Sequence, residues 1–338
     1  MLNLTERQIR ERNFHAEYAT RNSERASIAP ATDVISAGPR RWWNGFWSTY
    51  DIILSTDLAG KRVLIPGCGF GEDVLRLAKL GAEVYGFDLS PDIIEISKQR
   101  AKNFGFEDKA SFSVMPSEAM IYPDNFFDIV LFIDILHHVD IKKTMAEVVR
   151  VMKPGGKVIG NELYTHSAMQ SIRDSRFVTE FLYARMQKYI YRQDNPYITE
   201  DEHKIDESEF AIIRENMTET HTEFFGILEG RLFPNTIRWA SKIDKICISA
   251  LKPLASLLGS RVIFHGIIKK RIEGRDHRPR GKTIITPVTE VFDIGRQTAV
   301  RIGKTLLLSN TRNAQILCVK HSTCVQTLRI RRRNFLNN

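Results

Sequence analysis

The 338-residue sequence predicts an α/β protein built on a doubly wound, mostly parallel sheet with helical inserts. Three observations predict it. Short apolar runs of strand length alternate with stretches of helical periodicity from about residue 60 to residue 165. The first run leads into VLIPGCGFG (63–71), where three glycines stand two apart and allow a ligand to approach the backbone closely. The second run ends in Asp88, 17 residues beyond Gly71, where a carboxylate can accept both hydroxyls of a ribose.

In chain order, residues 1–29 read as a charged helical segment, followed by an aromatic cluster, RRWWNGFWSTYDII (40–53). Residues 61–65 are the first buried strand, and Glu72 to Leu80 carries a helical apolar face. The second strand, 82–87, leads to Asp88. Ser90 then caps a helix whose first turn holds Pro91 and which runs to about Asn103. Residues 110–114 and 127–133 are the third and fourth strands. A helix spans about 141–152, Lys153 to Gly156 is a turn, and 157–161 is the fifth strand. Beyond it, 163–198 is helical and aromatic, 206–216 is another helix, and Phe224-Phe225 with 262–268 form a closing strand pair. The expected organisation is a helical and aromatic cap over 1–59 and a catalytic domain over 60–270. Within that domain 163–260 is a helical insert covering the substrate. Residues 271–338 are expected to be a flexible basic tail.

Four segments in this order, VLIPGCGFG, VYGFDLSP, YPDNFFDIVLFIDILHHV and VMKPGGKVIG, resemble the class I S-adenosylmethionine-dependent methyltransferases, and within them the small-molecule group often called type 11. The resemblance covers about residues 60–165. It implies a Rossmann-like fold and S-adenosylmethionine as cofactor. Gly67, Cys68, Gly69 and Gly71 would wrap its methionine part, Asp88 would hold its ribose, and Leu89 would pack near its adenine. Carbonyls near Phe132 and Ile133 would lie close to its amino group. The chain departs from the family twice. Ile65 stands where an acid is common, so Glu72, Asp73 or water must take over its role. Met115-Pro116-Ser117 stands where an acid often meets the adenine amino group, and backbone groups of Ser117 and Glu118 are the expected substitutes.

Methyl transfer from a sulfonium needs alignment and desolvation, and a base only where the acceptor loses a proton. Asp134, His137 and His138 follow the fourth strand. His138 is the first choice for a base and His137 the second; the alternative for either is packing against the sheet. Glu162, Tyr164 and His166 follow the fifth strand and are candidates for acceptor contact, the alternative being ordinary loop polarity. Trp43, within the aromatic cluster, is a candidate wall of the acceptor pocket; capping of the sheet edge or contact with a membrane interface are the alternatives. Three acids beside His203 (TEDEH) read as a solvated loop, and no metal is expected.

A formal charge of +9 suggests nucleic acid, but its distribution argues otherwise. Residues 271–338 hold 14 Lys/Arg against 4 Asp/Glu, so residues 1–270 sum to −1. The Asn/Asp-Pro-Pro-aromatic element of enzymes that methylate base amino groups is missing after the fourth strand, where the chain reads IDILHH. A small-molecule or lipid-like acceptor is expected, with weak contact to anionic membrane through the basic tail. Polar residues at the start, no apolar run of spanning length and four cysteines without metal or CxxC spacing point to a cytoplasmic protein with reduced thiols. Two rival functions are a non-catalytic cofactor-binding module and a nicotinamide oxidoreductase, whose loop usually reads Gly-x-Gly-x-x-Gly.

Overall fold

A computed structural model describes residues 4–36, 44–183, 203–229, 233 and 237–270, and the backbone of five strands between 290 and 329. The chain divides into two compact units, Met1–Arg271 and Ile272–Asn338.

The first unit holds a seven-stranded sheet in the order β3-β2-β1-β4-β5-β7-β6. Strands β1 (Arg62–Pro66), β2 (Glu83–Asp88), β3 (Ala110–Val114), β4 (Phe127–Ile133) and β5 (Met152–Leu163) run parallel; β7 (Arg261–Ile268) and β6 (Met217–Phe225) close the edge antiparallel. From β1 the chain winds outwards through β2 to β3, then returns to place β4 on the other side. The carboxyl ends of β1 and β4 therefore flank the switch point, where doubly wound sheets bind ligands. The five parallel strands lie where their apolar runs placed them, because buried strands are apolar on both faces. Val63, Leu64, Val130, Leu131 and Phe132 are all fully buried.

The helices start where local chemistry supplies a cap. In α1 (Glu6–Arg21), Thr5 and Gln8 form a capping box. Asn44 accepts the Trp47 N–H at the start of α2 (Gly45–Leu54). Helix α3 (Glu72–Lys79) follows Gly71, whose φ of +73° suits glycine. Ser90 caps α4 (Pro91–Asn103) and Asp140 caps α5 (Ile141–Val151).

Three differences from the sequence reading have simple causes. Strand β5 starts at Met152 because Lys153–Gly156 is a bulge within it: pairing with β4 jumps from Phe127–Met152 to Ile129–Lys157, with Gly155 at φ +77°. The insert contains an edge strand as well as helices. In β6 the run Thr218 to Glu223 is polar and largely exposed, so only its apolar end, Phe224-Phe225, had read as strand. The described helices of the insert are α6 (Ser167–Arg173), a π-turn at Phe177–Tyr183, α7 (Glu207–Glu215), α8 (Arg238–Ala250) and the single turn α9 (Ala255–Leu258). Arg40 to Trp43, 184–198 and most of the TEDEH stretch lie outside the described residues.

In the second unit, β8 (Glu290–Ile294), β9 (Gln297–Ile302), β10 (Thr305–Asn310), β11 (Gln315–Cys318) and β12 (Thr327–Arg329) pair antiparallel in sequence order. Among the described residues no helix is long and apolar enough to cross a membrane.

Candidate functional site

A cavity of about 260 Å³ opens at the carboxyl ends of β1, β2 and β4. Its floor is the glycine turn. Gly67 and Gly69 hold φ of +59° and +51°, so the backbone curls where a side chain would be strained. A Cβ on Gly67 would come within 2.3 Å of Ile135 Cδ1, whereas a Cβ on Gly69 would meet nothing within 4 Å. Both residues line the cavity. Alanine at Gly67 is therefore expected to destabilise the fold, while alanine at Gly69 keeps it, at about 1–2 kcal/mol for the left-handed backbone, and projects a methyl into the cavity. Thermal melting and ligand titration of the two variants separate the effects: Gly69→Ala should lose ligand affinity out of proportion to stability.

Asp88 ends β2 at the cavity wall and is buried. Its Oδ2 accepts the Gly69 N–H at 3.2 Å and its Oδ1 the Ser90 N–H at 3.0 Å. A carboxylate offers about four acceptor positions, so each oxygen keeps one for a ribose hydroxyl. Leu89, Ile93, Met115, Pro116 and Ser117 supply an adjoining wall that is largely apolar, as a purine ring requires. The residues present thus fit a nucleoside-bearing cofactor.

Helix α1 forms the opposite wall through Gln8, Glu11, His15 and Tyr18, a stripe at helical spacing that sequence reading did not single out. Arg7 and Gln8 donate to the two oxygens of Glu118, at 2.9 and 3.0 Å, so the Glu118 side chain anchors α1. Glu11 Oε1 lies 3.4 Å from His138 Nδ1, and Glu11 Oε2 lies 3.5 Å from His15 Nε2. Burial alone would lower the His15 pKa, but the Glu11 hydrogen bond and the charges of Asp88 and Glu11 outweigh it, and the imidazole titrates above its ordinary value.

The two histidines after β4 part company. His138 lines the cavity, whereas His137 is buried with its Nδ1 2.9 Å from Glu162 Oε2. Glu162 Oε1 accepts the N–H groups of Ile135 (2.9 Å) and Leu136 (2.8 Å). Glu162 is thus a bracket for this turn rather than a group facing the cleft. Asp134 lines the cavity at φ +50°, and Arg261 donates to it (2.7 Å) and to Asn161 (2.7 Å). Ligand atoms of Asp134, His137 and Glu162 lie within 4.8 Å of one another. Arg261 on Asp134 and three hydrogen bonds on Glu162 already engage these carboxylates, which fits a hydrogen-bonded bracket.

Several expected site residues lie elsewhere. Cys68 turns its sulfur toward Gly86, and its N–H donates to the Phe87 carbonyl. Burial, with Asp88 adding to it, pushes the thiol pKa well up, so it stays protonated. Gly71 packs against Phe112 and Ser97. Phe132 is in the core and Ile133 packs against it; neither is among the cavity's walls. Tyr164 is buried against Phe210 and Phe224, and burial, with the charges of Glu207 and Asp206, pushes its pKa up to about 12; His166 caps α6 by accepting the Ala168 N–H. Trp43 is outside the described residues. Ile65, at the position where an acid had been expected, is in the sheet's core. Neither suggested substitute reaches the cavity: Glu72 pairs with Arg100 and Arg76, and Asp73 with Tyr50 and Arg76.

Residues 64–160 match a family described as methyltransferase domain. The match runs from within β1 to within β5 and includes every glycine-loop and β4-turn residue named above. Over those residues the chain is similar to methyltransferase domains. Curated proteins similar to it bear the same name. Methyltransferase GfsG of Streptomyces halstedii is 32% identical over 116 residues, 34% of this chain and 42% of the relative. Norajmaline N-methyltransferase of Rauvolfia serpentina is 37% identical over 101 residues, 29% and 35% of the two chains. Demethylmenaquinone methyltransferase of Tropheryma whipplei is 28% identical over 160 residues, 46% and 65%. The chain spans less than half the length of the first two. The α1 wall of the cavity lies outside the residues the family match covers.

Proposed function

We propose that this protein transfers a methyl group from S-adenosylmethionine to a small or amphipathic acceptor, at oxygen or carbon rather than at a nucleobase. The observation that carries the reading is the convergence, in one cavity, of the Gly67–Gly69 backbone, the half-satisfied carboxylate of Asp88 and the Glu11–His138 pair. The bound cofactor supplies an activated methyl on sulfur. The chain's own residues do the rest. Asp88 takes the ribose hydroxyls, and Leu89, Ile93 and Met115 enclose the base with backbone groups of Ser117. The carboxylates that line the cavity, Glu11, Asp88, Glu118 and Asp134, and its backbone carbonyls are the candidate partners for the ammonium, since Ile65 supplies none. Helix α1 excludes water from one side, which strengthens every charge interaction inside. Glu11 orients His138 through Nδ1 and leaves Nε2 to take a proton from an acceptor hydroxyl.

His138→Ala is expected to lower the methylation rate about a hundredfold or more while leaving S-adenosylhomocysteine affinity within about twofold. Radiolabelled methyl transfer over a panel of phenolic, enolic and prenylated acceptors measures the first, and calorimetry the second. An unaltered rate removes His138 as the base. Tight cofactor binding with no transfer to any acceptor would favour the rival reading, a cofactor-binding module, which the buried Ile65 in place of an acid supports. The same proposal places the protein in a reducing cytoplasm and gives residues 271–338, with their net positive charge, a weak contact with anionic lipid.

A further inference from the structure

Helix α8 presents a face that neither the sheet nor the cavity uses. Its inward side is Ala240, Ser241 and Asp244, all buried, and Asp244 accepts the N–H groups of Gly226 (3.1 Å) and Leu228 (2.6 Å). That side fixes the helix against the end of β6 and turns the other side outward. Trp239, Ile243 and Ile246 stand there at 54, 41 and 67% exposure, on one stripe at helical spacing. The chain continues through Leu251 and Leu254, at 38 and 47%. Five large apolar side chains on one exposed sixteen-residue stretch (239–254) exceed the scattered exposure normal for a monomer.

Charge identifies what covers them. The surface charges of this stretch are Lys242, Lys245 and Lys252, and its one acid, Asp244, is buried. On the helical wheel Lys242 lies beside the apolar stripe, next to Ile246, and Lys245 lies further round. An exposed apolar stripe whose exposed neighbouring charges are cations is complementary to an anionic, apolar-cored surface. A second copy of the same face would oppose lysine to lysine. Tryptophan adds to the argument, since its ring settles at the headgroup level of a bilayer. Thirteen helical residues extend only about 20 Å, enough to lie in the interface and too few to cross it.

We propose that α8 and the turn after it dock this protein on an anionic bilayer, with Trp239, Ile243 and Ile246 immersed and the lysines on the headgroups. The proposal concerns other residues than the basic tail, and it goes beyond the methyl-transfer reading.

The test is flotation of the full chain with vesicles of phosphatidylcholine and phosphatidylglycerol in equal parts, and with phosphatidylcholine alone. Wild type should float with the mixed vesicles and far less with the neutral ones. The combined variant Trp239→Ser, Ile243→Ser, Ile246→Ser should lower partitioning on the order of tenfold or more. Lys242→Glu with Lys252→Glu should abolish the preference for anionic vesicles while the chain stays folded, and it carries the test if the triple variant fails to fold. Thermal melting and S-adenosylhomocysteine binding check the fold of each variant. Three results would overturn the proposal: no flotation of wild type, flotation of a folded triple variant equal to wild type, or a wild-type dimer that the triple substitution dissociates.

Discussion

Asp88→Ala is expected to weaken S-adenosylhomocysteine binding at least tenfold, a loss of about 1.4 kcal/mol or more. The carboxylate is buried at the end of β2, and the N–H groups of Gly69 and Ser90 hold it from two sides. Those bonds fix its orientation before any ligand arrives, so little ordering cost remains when a ribose docks. Alanine removes both ribose acceptors and leaves the two N–H groups without their acceptor. The variant should therefore also lose about 1–3 kcal/mol of stability, which urea denaturation reads independently. Asp88→Asn keeps the shape and one acceptor oxygen, and should fall between the two. Unchanged affinity in a folded Asp88→Ala protein would place the cofactor elsewhere.

Glu162→Ala is expected to destabilise the first unit by about 3–5 kcal/mol. Glu162 is fully buried, with Ile135 and Leu136 N–H groups on one oxygen and His137 on the other. Removing the carboxylate leaves these three buried or half-buried groups without their acceptor. Glu162→Gln retains an acceptor oxygen and should cost less. Because the bracket holds the turn that carries Asp134 and His138, activity should fall further than the folded fraction alone accounts for. Chemical denaturation followed by secondary-structure signal measures the effect; a loss below about 1 kcal/mol would show that the bracket is not the turn's main support.

The centre of the parallel sheet was legible because β1 and β4 are buried on both faces and read as continuous apolar runs between turns. The glycine turn was legible for a different reason: left-handed backbone restricts residue type locally. What escaped was polar. The cavity wall of α1 is built from Gln8, Glu11, His15 and Tyr18, and hydropathy reads such a stripe as solvent-facing. Only the helical spacing of these residues signals a shared face, and nothing in sequence says what the face meets. Glu162 and His137 escaped similarly. Each was read as a candidate for the cleft, with packing against the sheet or loop polarity as the alternative, because sequence places them at the ends of the fifth and fourth strands but does not reveal that they meet each other. Strand β6 was legible only at Phe224-Phe225, since an edge strand with polar exposed positions carries little apolar signal.

The central claim is that the cavity between α1 and the β1–β4 switch point holds the methyl donor. A crystal structure of the protein with S-adenosylhomocysteine tests it most directly. The account predicts ribose hydroxyls on the Asp88 carboxylate, the adenine against Leu89, Ile93 and Met115, and the sulfur on the side of the cavity that His138 faces. A ligand bound outside this cavity, or within it with its ribose on another carboxylate, would contradict the account.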